Sequence, residues 1–255
     1  MDNKIKISLN RLWQVIFQPG KVWENVEDEP VILLPMFIIL SLNLFMIGMI
    51  MPEMLNYSRN ILTSQGMAPD IIKNSLKVIR ISMIVGALLI PLVTWMVHAA
   101  LLAIFNQMVI VKDKLMELFH TGSYLWWLVF VFETIKNALI SPNYKRFFLV
   151  AFYAWIPVFI GKTLEKVLII LKVLDYEQAL TLWTSAAILL PPDKSSGFLY
   201  IFLNYLDIFT IWGLCLLVAG GAAIMNRNKK ELAAYLFIIW FIYLLIKAGI
   251  NSSIA

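Results

Sequence analysis

The stretch VILLPMFIILSLNLFMIGMIM, residues 31–51, carries no charged side chain in 21 positions. At about 1.5 Å of rise per residue, a helix of this length spans about 30 Å, the hydrocarbon thickness of a bilayer. Residues 81–111, 146–171, 201–225 and 232–250 are comparably apolar. In lipid the backbone must satisfy its own hydrogen bonds, so each run is read as a helix. Composition agrees: 15% of the residues are charged, against roughly 25% in ordinary soluble domains. The expected fold is all-α, a polytopic transmembrane helical bundle of about five spans forming one domain over residues 1–255. No apolar signal region precedes Val31, so the first span is expected to act as an uncleaved insertion signal.

Residues 5–17 place Ile5, Leu9, Leu12, Trp13 and Ile16 on one helical stripe, with Lys6, Asn10 and Gln14 largely opposite. Such a helix suits the membrane interface, and residues 1–30 are expected to be an interfacial N-terminal region. MAPDIIKNSLKVIR (67–80) reads as a helix start, with Pro69 and Asp70 in its first turn. Residues 124–140 are apolar but hold Glu133 and Lys136. With five spans and a cytoplasmic N-terminus, Lys112, Lys114, Lys145, Arg146, Arg227, Lys229 and Lys230 all face the cytoplasm, and the C-terminus lies outside. A sixth span would carry Arg227, Lys229 and Lys230 outward, against the positive-inside rule. Residues 124–140 are therefore expected to be interfacial or re-entrant. Arg59, Lys73, Lys77 and Arg80, in the first outer loop, fit neither arrangement well.

The net charge of +5 follows the usual excess of Lys and Arg at cytoplasmic span ends and does not indicate nucleic acid. Cys215 is the one cysteine, so no intramolecular disulfide can form, and no Cys/His pattern suggests a metal. Phosphate-loop, zinc-protease and nucleophile-elbow motifs are absent, as is a carboxylate pair placed for acid–base work. The chain is not expected to be an enzyme or to hold a cofactor.

Charges inside spans are costly, so the intramembrane polar residues are the candidate sites. Asp207, Lys162, Glu165, Lys166 and Asn204 would form a cluster in the outer half of the bundle. Asn204, Asp207, Ile211 and Leu214 share one helical phase, which would turn Asp207 inward, toward Lys162 or Lys166. Two other readings of Asp207 stay open: it snorkels or begins the true apolar span, or it belongs to a transport site. Glu165 lies three residues from Lys162, close enough for a local pair. His98 is a candidate titratable group, with hydrogen bonding to another helix as the plainer reading. Pro91 and Pro157 would each free a carbonyl and kink a span.

Three stretches, taken in order, resemble the Ypt-interacting-protein (Yip) family of small polytopic membrane proteins. They are IFQPGKVWENV (16–26), VAFYAWIPVFIGKTLEKVL (150–168) and LDIFTIWGLCLLVAGGAAIMNRNKKELAAYLFIIW (206–240). The positions that match are Pro19 and Trp23; Phe152, Tyr153, Ala154 and Pro157; and Asp207, Phe209 and Trp212. The pattern is that of prokaryotic members. The resemblance implies a non-catalytic protein of the cell membrane, in contact with lipids and with a membrane-protein partner such as a transporter, that assists transport or membrane trafficking. The alternative is a small transporter or lipid-handling protein using the polar cluster. The 112–145 segment looks like an insertion relative to shorter members. The acidic cytosolic signature of eukaryotic members is not evident, so small-GTPase binding does not carry over.

Overall fold

The computed structural model describes residues 2–23, 32–110, 136, 140, 143–174, 184–190 and 197–254. The expected interfacial or re-entrant segment at 124–140 lies outside the described residues, apart from Lys136 and Ile140. The fold is all-α. Five helical segments are long and apolar enough to cross a membrane: Leu33–Ser64, Pro69–Val109, Tyr144–Ile170, Ile208–Met225 and Lys229–Ser252. They are called the first to fifth spans below, and a separate helix, Asp2–Phe17, precedes them.

The first span does not stop at residue 51. It runs through Pro52 to Ser64, and the second helix runs unbroken from Pro69 to Ile110 through Pro91. At 32 and 42 residues both exceed the ~20 residues that a bilayer needs. Together they form a helical hairpin that extends past the apolar runs. Local chemistry closes its turn. Gly66 takes a left-handed φ of 72°, its N–H bonds to the Thr63 carbonyl, and the Met67 N–H bonds to the Leu62 carbonyl. This is the Schellman arrangement, where a Cβ is disfavoured. Pro69 then opens the next helix, where its missing N–H costs nothing. The turn from the fourth to the fifth span repeats the device with Asn226 at φ 50°, and Asn228 caps the fifth helix by accepting the Lys230 N–H at 2.9 Å.

The third span is two helices, Tyr144–Ala154 and Ile156–Ile170, joined at Trp155. Pro157 therefore sits in the first turn of the second piece, where no intrahelical N–H is required. The fourth span departs most from expectation. Residues 201–225 are not one helix: a short helix, Gly197–Asn204, ends and the span proper begins at Ile208. Between them the chain turns back on residues 184–186. The Ala186 N–H bonds to the Leu206 carbonyl at 2.9 Å and the Ile208 N–H to the Thr184 carbonyl at 3.2 Å.

The chain divides into two compact units. One comprises Met1–Ile32, Thr94–Ile156 and Leu214–Trp240. Its centre is Trp95, fully buried, with the edges of Phe152 and Trp155 packed against its ring at 4.9 and 5.6 Å. The N-terminal helix meets this unit through Arg11 and Val15, both buried, with Arg11 beside Tyr153. Of the expected apolar stripe, Leu9 and Trp13 remain exposed, Trp13 by 60%, as does Phe17, whereas Leu12 and Ile16 are half-buried. Trp23 lies over Gly220, where an added Cβ would come within 2.8 Å of the indole.

The other unit comprises Leu33–Val93, Pro157–Gly213 and Phe241–Ala255. The first span buries Pro35, Ile39, Asn43, Met46 and Ile50, one stripe at helical spacing. Ile50 packs with Ile169 of the third span. Phe209 lies against Gly161, whose added Cβ would meet the ring at 2.5 Å.

Candidate functional site

Within the second unit, two polar networks hold most of the residues singled out from the sequence. Asp207 is 7% exposed and sits immediately before the helix Ile208–Met225. One carboxylate oxygen accepts the backbone N–H and the hydroxyl of Thr210, each at 3.0 Å. The other accepts the Thr184 hydroxyl. A helix start leaves N–H groups without partners and carries a partial positive charge, and Asp207 answers both as an N-cap. Next to it the Ser185 hydroxyl donates to Asn204 at 3.2 Å.

The expected ion pair between Asp207 and Lys162 or Lys166 is corrected by these contacts. Its premise was one continuous helix through Asn204 and Asp207, and the break at Tyr205–Leu206 removes that common phase. The lysines are engaged elsewhere. Lys162 donates to Glu165 at 2.9 Å on an open surface, with 45% of the lysine side chain exposed. Lys166, half-buried, donates to Asn43 Oδ1 at 2.6 Å.

Asn43 is the residue that pattern reading missed. Its amide donates to the Ala87 carbonyl at 2.7 Å while its oxygen receives Lys166. The reason lies four residues further on: Pro91 has no N–H, so the Ala87 carbonyl has no helical donor. Asn43 supplies one from the first span and joins three spans at one point. The available signal was a lone asparagine in a charge-free run, opposite a mid-span proline. A second missed group is Tyr205, whose ring receives Lys247 at 4.1 Å and whose hydroxyl accepts from Asn251 at 2.9 Å. Lys247 thereby finds an aromatic partner for its charge.

His98 lies in the first unit, half-buried, and bonds back to the Thr94 backbone one turn earlier on its own helix. Among the described residues no bond from His98 to another helix accompanies it. Among the described residues no group of three or more His, Cys, Asp or Glu is placed to hold a metal. Cys215 is free and exposed.

The aromatic–glycine contacts at Trp23 and Phe209, the capped Asp207 and the buried Phe152–Tyr153 pair occupy the positions that carried the family resemblance. A family model for the Yip1 domain matches residues 13–250, nearly the whole chain. The chain belongs to the Yip family. It is a multi-pass membrane protein, and the Phe209–Gly161 contact joins two of the spans that carry the Yip motifs. No curated protein and no solved structure matches it.

Proposed function

We propose that this Yip-family protein is a non-catalytic component of the cell membrane that assists a transport or membrane-trafficking machine through helix–helix contacts. The observation that carries the reading is that its intramembrane polar groups serve the fold. Asp207 caps a helix, Asn43 answers a proline-freed carbonyl, and Lys162 is neutralised by Glu165. Apolar faces are meanwhile left uncovered: Phe37 and Phe45 of the first span and Ile238, Ile242 and Ile246 of the fifth are exposed. Such faces meet lipid or the helices of a partner. The whole chain works as one membrane domain, with the N-terminal helix in the cytoplasmic interface and the C-terminus outside, as in a prokaryotic-type member. A reporter fused after Ala255 tests that orientation: it is inactive when it requires the cytoplasm.

The rival is a small transporter or lipid-handling protein built on Asp207, Lys162, Glu165, Lys166 and Asn204. One observation favours it: Lys166 hydrogen-bonds a neutral amide rather than a carboxylate. Flux across liposomes holding this chain alone, lost in Lys166→Met, establishes the rival. A membrane protein that co-purifies in mild detergent, and whose activity falls when this chain is deleted, supports the partner role.

A further inference from the structure

The four cations that fitted neither topology, Arg59, Lys73, Lys77 and Arg80, come together around one cleft in the helical hairpin. Lys73, Lys77 and Arg80 recur at four and three residues, which is one face of the second helix. Arg59 faces them from the first helix, across a cavity of about 810 Å³ whose lining also includes Leu55 and Leu76. All four cations are exposed and both leucines are half-buried. Among the described residues, no carboxylate forms an ion pair with any of the four.

Their depth is set by the sequence. Arg80 is the last charge before the apolar run 81–111. Lys77 therefore stands about 5 Å further out along the helix axis, within the headgroup layer of about 5–8 Å outside the hydrocarbon, and Lys73, about 10 Å out, stands just past its outer edge. Clustered like charges repel, and an anion between them relieves that repulsion.

We infer that this cleft is a binding site for a phosphate-bearing anion, with Arg59, Lys73, Lys77 and Arg80 as its donors. The apolar lining beside the cations suits a phosphate that carries a glycerol and acyl chains. An anionic phospholipid headgroup and a free phosphate share the recognised chemistry. The site is independent of the partner role proposed above.

The test uses the full chain in nanodiscs of phosphatidylcholine, with or without a minor fraction of phosphatidylglycerol. Native mass spectrometry reads the retained lipid, and calorimetry with inorganic phosphate provides the second arm. A cation at an anionic surface contributes about fivefold in affinity, so Lys73→Gln/Lys77→Gln weakens binding about twenty-five-fold. Lys73→Arg/Lys77→Arg retains binding, and Lys229→Gln, at another exposed cation, leaves it unchanged. Unfolding temperature is unaffected by the glutamines, because both lysines are exposed and neither is paired among the described residues. Retention of phosphatidylglycerol that excess phosphate does not displace assigns the site to a lipid headgroup. Lysine-dependent binding of phosphate alone assigns it to a free anion. Binding of neither, or binding indifferent to Lys73 and Lys77, overturns the inference, as does a cleft occupied only by an acidic protein.

Discussion

Replacing Asp207 with alanine removes an N-cap and leaves the hydroxyls of Thr184 and Thr210 without their acceptor. The expected loss is about 1–2 kcal/mol, read as a lower unfolding temperature in detergent. Asp207→Asn keeps a capping oxygen and loses a few tenths of that, whereas an ion pair with a lysine would make the two variants equally damaging. Asn43 offers a sharper measurement. Asn43→Leu strands both the Ala87 carbonyl and Lys166, at about 1–3 kcal/mol for each buried group left unpaired. Pro91→Ala returns an N–H to the Ala87 carbonyl. In the Asn43→Leu background it should therefore recover stability, with a coupling of about 1 kcal/mol in the double-mutant cycle. Additive effects of the two substitutions would show that Asn43 does not serve that carbonyl.

Glycines mark where the spans touch, and they are not equivalent. At Gly161 an added Cβ meets the inner ring atoms of Phe209, which cannot swing aside. Gly161→Ala should cost about 1–3 kcal/mol by overpacking, and Phe209→Ala should restore tolerance of it. At Gly221 the added Cβ meets the tips of Leu102 and Leu232, at 2.6 and 2.9 Å, and two aliphatic ends give way more easily than a ring at its root, so alanine there is milder. Gly48 and Gly249 face open space. Alanine at either should leave the fold unharmed or stabilise it by about 0.5–1 kcal/mol, the helix-propensity difference. A thermal-shift series over these four positions checks the ranking. Equal responses at Gly161 and Gly249 would remove the argument that Phe209 packs into a glycine notch.

Five spans fix a relation between distant turns that does not depend on absolute orientation. The Gly66 turn follows the first span and the Asn226–Asn228 turn follows the fourth, so with the five described spans as the crossings the two turns are expected on opposite sides of the membrane. In a Cys215→Ser background, Gln65→Cys and Arg227→Cys should react with an impermeant maleimide from opposite faces of sealed vesicles. Labelling of both from one face would require an even number of crossings between them. It would then make 124–140 a true span.

The membrane character, the all-α class and the approximate places of the spans were legible in the sequence. Solvation in hydrocarbon is a local property: a charge-free run such as 31–51 has no other stable environment, whatever it packs against. Turn chemistry was legible for the same reason, with Pro69 opening a helix through its own backbone. The partners of Asp207, Lys166 and Asn43 were decided only in three dimensions. Within residues 201–225 Asn204 and Asp207 share a phase only if the helix is continuous, and nothing between them carried a proline or glycine to announce the break. The cap at Asp207 exists because residues 184–186 return to pair with 206–208. The role of Asn43 exists because a proline 48 positions away lies at the same depth on a neighbouring helix. Sequence sets what each segment can tolerate, and packing decides which unsatisfied group meets which donor.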